Sequence, residues 1–419
     1  PQDRSPSPTL VGNSILRSLA ALASLSGDVA QRWWSLTVLK SHVDSFAMDK
    51  GYYSCYENLF AGQGCGNSHN ITGGAPMAAK KKTYGAGIIG AGWVSGEHIK
   101  AYAANENVQV IGIYSRTAER ATAKLKEYGV EGMTYPSLDA MLSDPRVDIV
   151  SICSPPPVHA EQVMAAASAG KHIVIEKPLA MNMADVRRMQ EVVGKAKVST
   201  VASFVLRWNP MFETTKRLLA DDAVGKLMYL ECDYWHWIGP HYDQYKWSRT
   251  KEAGGSTLLS AGCHAVDALR WFGGEISEVF SYKAPGMSGS DYEFDPNLVA
   301  ILRFASGATG KISSILECMT PYIFNVNILG EKGTIRNNRV YSRHKYPGQL
   351  DYLEYPTILP DSGDVTHHPF QAQIDHFIDC LLNDRPSHTD ITDAAKTMEV
   401  CFAIERSAET GQPVQLPLP

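Results

Sequence analysis

The stretch Gly87-Ile-Ile-Gly90-Ala-Gly92-Trp-Val-Ser95-Gly96 joins an apolar run to closely spaced glycines, at the point where a strand should turn into a helix. Gly90 would permit a tight turn, and Gly92 would let the backbone approach a pyrophosphate at the helix N-terminus. The third small position of the G-x-G-x-x-G pattern is Ser95 here, followed by Gly96. The pattern predicts a phosphate cradle, although a plain glycine-rich turn would carry the same residues.

The residues around these glycines predict a βαβ unit. Residues 82–89 are typical of a strand, residues 97–104 of a helix, and residues 108–114 of a second strand. A strand, a glycine-rich turn and a helix in this order favour a dinucleotide-binding domain over an isolated turn.

The second strand ends in Tyr114-Ser115-Arg116-Thr117, without the acidic residue that usually binds the adenosine ribose. A cation beside a hydroxyl suits a ribose 2′-phosphate better than a free diol. The alternative is that Arg116 simply begins the next helix in solvent. We therefore favour NADP as the cofactor and leave NAD open.

Two further loops should meet the glycine-rich turn. A strand over residues 147–153 leads into Ser154-Pro-Pro-Pro-Val-His159, and a strand over residues 172–175 leads into Glu176-Lys177-Pro178. Loops at the carboxyl ends of parallel strands border the ligand crevice of an open α/β sheet. The expected cofactor contacts are Gly90, Gly92, Trp93, Val94, Ser115, Arg116, Ser154, Pro155, His159, Glu176 and Lys177.

Composition excludes several classes of partner. The chain has 419 residues, of which 44% are hydrophobic, and a net charge of −5, which argues against nucleic-acid and membrane partners. The eight cysteines show no C-x-x-C spacing, and the pair His367-His368 has no acid or cysteine at ligand spacing. We expect a cytoplasmic protein that has no metal and binds a small molecule.

The first 81 residues show no alternation of strands and helices. We expect them to be an extension outside the natural fold. Residues 82–204 would then form the dinucleotide-binding Rossmann domain, and residues 205–419 a domain for substrate binding and oligomerisation.

The motifs occur in an order that resembles the Gfo/Idh/MocA oxidoreductases. The glycine stretch, the Ser154 loop and Glu176-Lys177-Pro178 are followed by Gly254-Gly-Ser-Thr-Leu-Leu-Ser-Ala-Gly-Cys-His264-Ala-Val-Asp267. The resemblance implies an α/β fold: a Rossmann domain, then an α+β domain with a large, open, mostly antiparallel sheet. It also implies hydride transfer between NAD(P) and a sugar, cyclitol or related polyol, and subunit pairing through the sheet as a homodimer or homotetramer.

Lys177 and His264 are the expected catalytic residues, as the resemblance also implies. A partly desolvated ammonium at the end of a buried strand can polarise a carbonyl or stabilise an alkoxide. Residues 256–272 have helical periodicity, so Asp267 would lie near His264 and could fix its tautomer. The alternatives are a surface lysine, and a core histidine bonded to Asp267.

Position 260 departs from the family pattern, because many members carry Asp where this chain has Ser260. Serine can exchange a hydrogen bond but carries no charge, so another acid, Asp233, Asp243 or Asp295, would have to compensate. Aromatic residues between positions 227 and 247 suit the C–H faces of a sugar. The expected substrate contacts are Arg207, Asn209, Tyr234, His236, Trp247, Ser260 and His264.

Three functions remain open at this point. The first is an NAD(P)-dependent dehydrogenase or reductase that acts on a secondary hydroxyl or ketone of a polyol. The second is a redox-neutral, NAD-dependent glycosidase or 3-keto-sugar enzyme, and the third is a non-catalytic regulator that senses a dinucleotide.

Overall fold

Strands and helices alternate through the first part of the chain that the structure describes. A computed structural model describes residues 83–419, so the extension expected for residues 1–81 lies outside the described residues. The elements in chain order are β1 (Tyr84–Ile89), α1 (Trp93–Ala104), β2 (Val108–Tyr114), α2 (Ala118–Glu127), β3 (Met133–Tyr135), α3 (Leu138–Leu142), β4 (Ile149–Ile152), α4 (His159–Ser168), β5 (His172–Ile175), α5 (Met183–Ala196) and β6 (Thr200–Ala202).

These six strands form one parallel sheet in the order β3-β2-β1-β4-β5-β6. That order is the doubly wound Rossmann arrangement, whose ligand crevice lies where the strand order reverses between β1 and β4. All residues of β1 and β4 are buried, as expected for strands covered by helices on both faces. The predicted Rossmann domain is confirmed, with strand ends that differ from the predictions by one or two residues.

The second part of the chain forms a larger sheet. Its elements are α6 (Pro210–Ala220), β7 (Leu227–Trp235), α7 (Tyr245–Ser248), α8 (Cys263–Gly273), β8 (Ile276–Ala284), β9 (Asn297–Phe304), β10 (Thr309–Ile315), β11 (Ile323–Gly330), β12 (Thr334–Arg336), β13 (Arg339–Tyr341), β14 (Leu353–Glu354), α9 (Phe370–Leu382), α10 (Ile391–Thr410) and β15 (Val414–Gln415). The strand order is β14-β13-β12-β11-β7-β10-β9-β8-β15, and only the pair β7 and β10 is parallel. The expected open, mostly antiparallel sheet is confirmed.

One face of this sheet is covered by helices and the other is bare. Along β9, Leu298, Ala300 and Leu302 are buried, whereas Val299 and Ile301 are 43% and 59% exposed. Helices α8 and α10 pack on the buried face. None of the helices in residues 83–419 has the length and hydropathy needed to cross a bilayer.

Helix α9 returns to the first domain, although it follows the second domain in sequence. Its residues Ile374, Phe377 and Ile378 are buried in one apolar cluster with Ile99 and Tyr102 of α1. The chain therefore closes the two domains on each other, and the segment that leads into α9 lies between them.

Arg207 lies at the junction of the two domains in a buried ion-pair network. Its guanidinium donates to both carboxylate oxygens of Asp267 on α8, at 2.8 and 2.6 Å, and to Asp393 on α10 at 2.5 Å. The side chains of Arg207 and Asp267 are 2% and 4% exposed. Arg207 is therefore a structural residue, which corrects its expected assignment as a substrate contact.

We expect Arg207→Met to lower the free energy of unfolding by about 3–5 kcal/mol, because Asp267 would be left as an uncompensated buried charge. The matched control is Arg339→Met, which breaks a pair with Glu354 whose side chains are more than half exposed and should cost at most about 1 kcal/mol. Urea denaturation curves of both variants measure the difference. Equal midpoints for the two variants would contradict the structural assignment.

Candidate active site

The glycine-rich turn after β1 has the geometry of a phosphate cradle. Gly90 has φ +109°, and a Cβ at this position would lie 2.6 Å from the carbonyl oxygen of Cys153. Gly92, just before α1, would place a Cβ in open space with no atom within 4 Å. The first glycine is therefore required by the fold, and the second keeps a space clear at the N-terminus of α1, where an anion is favoured.

Ser95 holds the third small position of the motif, and the next residue, Gly96, lies close to Tyr128. A Cβ on Gly96 would collide with the hydroxyl of Tyr128, whereas the Ser95 hydroxyl donates to the carbonyl of Gly92 at 2.6 Å. Close packing of α1 thus depends on a residue one position later than the motif places it. Trp93 and Val94 follow the turn, and Trp93 is 48% exposed.

The end of β2 presents Ser115 and Arg116 to solvent. Arg116 is exposed, and no ion pair joins it to another residue within the described range 83–419. The Ser115 hydroxyl accepts from the amide of Thr117 at 3.3 Å. A free guanidinium is thus available at the position where the adenosine ribose is usually bound.

His159 connects the second and third crevice loops. Its two ring nitrogens lie 2.8 Å from the carbonyl oxygens of Pro178 and Ser154, and its side chain is fully buried. We therefore assign His159 to positioning the loops, which corrects its expected assignment as a cofactor contact. Pro155 remains exposed, and the Ser154 hydroxyl donates to Gln162 at 2.6 Å.

Glu176 is also engaged within the protein. Its carboxylate lies 3.0 Å from Nε2 of the fully buried His98, whose Nδ1 contacts the hydroxyl of Ser151. Burial opposes charge on both groups, but His98 lowers the pKa of Glu176, and Cys153, followed by Glu176, raises the pKa of His98. This ion pair fixes the residue before Lys177, which corrects the expectation that Glu176 contacts the cofactor.

Lys177 crosses the crevice from the first domain to the second. Its ammonium donates to the backbone carbonyl of Ser260 at 2.8 Å. Ser260 lies in a π-helical turn, Leu258–Gly262, directly before α8, where the sequence predicts a regular helix. Such turns occur often at functional sites.

The Ser260 hydroxyl is used locally. It donates to the carbonyl of Gly254 at 3.1 Å and lies 3.4 Å from that of Ser248. Ser260 therefore contributes its backbone carbonyl to the site, through Lys177, while its side chain stabilises the preceding loop. Of the acids that could have compensated for it, Asp233 is bound to Lys311 on the sheet.

His264 lies on the first turn of α8 and is 5% exposed. Its Nδ1 is buried without a hydrogen-bond partner in the described part of the chain. Burial, followed by the charges of Lys177 and His368, holds the pKa of His264 well below its usual value. The expected pairing with Asp267 is wrong, because that carboxylate is taken by Arg207 and by the hydroxyl of Thr397 at 2.9 Å.

Two residues that the sequence analysis did not assign to the site extend it: His368 lies beside His264, and Tyr322 lies beside His368. The rings of His264 and His368 are 6.1 Å apart, and those of His368 and Tyr322 are 6.2 Å apart and stacked. The Nδ1 of His368 and the hydroxyl of Tyr322 are buried without partners among the described residues. We call Lys177, His264, His368 and Tyr322 the polar cluster.

A cavity of about 460 Å³ adjoins the polar cluster. Its walls include His236, Trp237, His241, Tyr242, Tyr322 and Asp364. The Tyr242 hydroxyl donates to Asp364 at 2.7 Å and lies 2.8 Å from Nε2 of His236. This pattern makes Nε2 of His236 a donor and leaves its Nδ1 to accept from Tyr234 at 3.1 Å.

Of the remaining expected substrate contacts, His236 lines the cavity and Tyr234 supports it from behind. Trp247 lies on α7, 39% exposed, and is not among the residues lining the cavity. Asn209 is fully buried, and its side-chain oxygen accepts from the amide of Met211 at the start of α6. Asn209 therefore caps this helix through its oxygen, while its side-chain nitrogen has no partner among the described residues, and its expected contact with the substrate stays a prediction.

Similar proteins include several sugar and inositol dehydrogenases. The chain is 26% identical to "D-xylose 1-dehydrogenase (NADP(+)) 2" of Haloferax volcanii over 332 residues, which cover 79% of this chain and 99% of the relative. It is 26% identical to the inositol 2-dehydrogenase of Salmonella typhimurium over 350 residues, which cover 80% and 98%. These matches span almost the whole of both relatives.

Two solved structures share this fold. The complex of levoglucosan dehydrogenase with NADH and levoglucosan superposes with a TM-score of 0.73 at 22% identity, over 80% of this chain and 100% of the other. The WlbA dehydrogenase from Bordetella pertussis, in complex with NADH and UDP-GlcNAcA, gives 0.69 at 26% identity, over 81% and 100%.

Two family models match the chain in the order of its domains. The model "Oxidoreductase family, NAD-binding Rossmann fold" covers residues 84–204, and the "GFO/IDH/MocA C-terminal domain" covers residues 212–336. Together they account for more than half of the sequence, so the chain belongs to the GFO/IDH/MocA oxidoreductase family.

Proposed function

We propose that this protein is an NAD(P)-dependent dehydrogenase that interconverts a secondary hydroxyl and a ketone of a sugar, cyclitol or related polyol. The observation that carries the proposal is the polar cluster, in which buried polar atoms of His264, His368 and Tyr322 have no partner in the described part of the chain. Buried polar groups in proteins are nearly always hydrogen-bonded. A ligand with several hydroxyls would supply the missing bonds.

The residues of the cluster can perform the proton transfer that this reaction requires. When bound, a nicotinamide accepts the hydride of the carbinol carbon or returns it. The neutral imidazole of His264 takes the hydroxyl proton, because burial keeps this ring unprotonated. The ammonium of Lys177, held by the Ser260 carbonyl, stabilises the oxygen as negative charge develops on it.

The adjoining cavity supports a sugar-like substrate. Its aromatic walls, Trp237, Tyr242 and Tyr322, can pack on the C–H faces of a ring, while the Oδ1 of Asp364, which accepts no hydrogen bond from any described residue, can accept from a hydroxyl. Its volume of about 460 Å³ is within the usual range for small-molecule sites. Relatives that act on D-xylose and on inositol agree with this class of substrate.

The bare face of the second sheet supports pairing with a second copy of the chain. Tyr282, Val299 and Ile301 are 69%, 43% and 59% exposed and lie on the neighbouring strands β8 and β9. A contiguous apolar face of this kind is typical of an interface. Six cysteines of the described residues are free thiols, which agrees with a reducing compartment such as the cytoplasm.

NADP is the cofactor that the exposed guanidinium of Arg116 favours, because a 2′-phosphate would add a charge-assisted bond there. We expect Arg116→Ala to weaken NADPH binding by about 1.5–3 kcal/mol, roughly 10- to 100-fold, and to leave NADH binding unchanged. Arg120→Ala, a neighbouring exposed arginine on α2, is the matched control. Fluorescence titration of both reduced cofactors decides: equal losses for NADH and NADPH would refute this assignment.

The two glycines of the cradle should respond differently to a methyl group. Gly92→Ala places its Cβ in open space, so we expect the melting temperature of the apoprotein to be unchanged and NADPH and NADH binding to be lost. Gly90→Ala is strained by its positive φ and by the carbonyl of Cys153, so it should lose about 1–3 kcal/mol of stability as well. A Gly92→Ala protein that binds both cofactors normally would show that the cradle is not a phosphate site.

The activity itself is tested with NAD⁺ and NADP⁺ against myo-inositol, scyllo-inositol, D-xylose, D-glucose and levoglucosan, by following nicotinamide absorbance. We expect oxidation of at least one of these polyols. His264→Phe and Lys177→Met should each reduce kcat/KM by roughly 10²–10⁴-fold without weakening cofactor binding. Release of aglycone from aryl glycosides without net reduction of the cofactor would instead favour a redox-neutral glycosidase.

The pH dependence provides a further test of His264. Since its pKa in the folded protein lies well below its usual value of 6.5, the base stays neutral as the pH falls through 6.5. We therefore expect the acid limb of the kcat/KM profile to lie clearly below pH 6.5. An acid limb centred at or above pH 6.5 would show that another group, or a solvated His264, is the base.

A further inference from the structure

His368 lies in the segment that joins the second sheet to α9, on the line between the two domains. Its ring is stacked on Tyr322 at 6.2 Å and on Phe370 at 6.4 Å, and it meets the ring of His264 at an angle of 68°. Phe370 in turn contacts Trp93, the residue that follows the glycine turn. His368 is therefore held between the phosphate cradle and the substrate cavity.

The imidazole of His368 is neutral, and one of its ring nitrogens is open to a ligand. Burial, followed by the charge of Lys177, lowers its pKa to about 4. Its Nδ1 is buried without a hydrogen-bond partner among the described residues. A neutral imidazole offers one donor and one acceptor, which matches a hydroxyl group.

Two acidic side chains near the polar cluster are engaged within the protein. Glu176 is paired with His98, and Asp267 is paired with Arg207. The Ser260 hydroxyl donates to the carbonyl of Gly254. The ring of His368 lies next to that of His264, and its Nδ1, unpartnered within residues 83–419, is open to a second hydroxyl of a substrate.

We propose that His368 binds the hydroxyl on the carbon next to the reacting carbon, so that the site selects vicinal diols. This inference rests on the proposed function, in which His264 exchanges the proton of the reacting hydroxyl. Rings whose centroids are 6.1 Å apart can each form a bond of about 2.8 Å to one of two neighbouring hydroxyls. Hydroxyls on opposite sides of a sugar ring are separated by the ring itself. His368 thus determines specificity, whereas Lys177 and His264 act on the reacting group.

Three variants test this role. His368→Phe keeps a flat ring between Tyr322 and Phe370 but removes both nitrogens, and His368→Gln keeps a donor and an acceptor. The matched control is His367→Phe, at the exposed neighbouring position. Each is assayed on polyols of the panel that the wild type oxidises, paired with the analogue that lacks the vicinal hydroxyl, such as D-glucose with 2-deoxy-D-glucose.

We expect the wild type to prefer the diol by about tenfold or more in kcat/KM, since a site built to bind a hydroxyl discriminates against its absence. His368→Phe should lose that preference, because its activity falls on the diol alone. His368→Gln should retain part of the preference, and His367→Phe should behave as wild type. The Kd values of each polyol and its analogue for the NADH-loaded enzyme, measured by calorimetry, should change in parallel with kcat/KM. The melting temperature of His368→Phe verifies that the variant is folded.

Two negative results have different meanings. If the wild type oxidises a polyol and folded His368→Phe keeps its preference for the diol, the assignment of His368 is wrong and the proposed function stands. If the wild type oxidises no member of the panel with either cofactor, the proposed function fails and the role of His368 fails with it.

Discussion

The hydrogen bond from the Lys177 ammonium to the Ser260 carbonyl, 2.8 Å long, connects the two walls of the crevice. It places a cation of the first domain against the π-helical turn that directly precedes the helix of His264 in the second. The residues on either side of Lys177 are fixed as well, because Glu176 is paired with His98 and the Pro178 carbonyl contacts His159. The backbone around Lys177 is thus held in place, and the Lys177 ammonium is fixed beside the other residues of the polar cluster.

Burial, followed by the charge of this fixed cation, explains the pKa values of the neighbouring histidines. His264 and His368 are buried beside it, and both factors disfavour a second positive charge, so both imidazoles are neutral. Each unpartnered buried polar group costs on the order of 1–3 kcal/mol of stability. The fold carries this cost at three adjacent groups, including Tyr322. A ligand that forms the missing hydrogen bonds recovers this loss of stability. The polar groups of the site are therefore in place before the substrate binds.

The sequence predicted those parts of the site whose placement follows from local pattern. The turn at Gly90 and Gly92 and the lysine after β5 lie at the carboxyl ends of apolar strands, which converge in any parallel sheet of this type. The sequence assigned no role to Gly96, because its contact is with Tyr128, a neighbour in space and not in the motif. The sequence therefore predicts the roles of these loops more readily than it predicts packing contacts between distant residues.

The errors concern pairings between distant segments. Arg207 stands near the domain junction in sequence, but its role depends on Asp267 and Asp393, which no local pattern connects to it. His368 carries no motif and enters the site only because α9 folds back onto α1. The pair His367-His368 has no acid at the spacing of metal ligands, so the sequence argued against a metal. It gave no indication that His368 would contact a substrate.

Isotope transfer is the most direct test of the central claim, which is that the polar cluster supports oxidation of a polyol carbinol by the bound cofactor. A polyol deuterated at its carbinol carbons is incubated with the enzyme and oxidised cofactor, and the reduced nicotinamide is analysed by mass spectrometry. The account predicts one deuterium in the reduced cofactor for each ketone formed, and transfer slower by roughly 10²–10⁴-fold when the protein carries His264→Phe. A ketone formed without deuterium in the cofactor, or deuterium transfer that is as fast without His264 as with it, would contradict it.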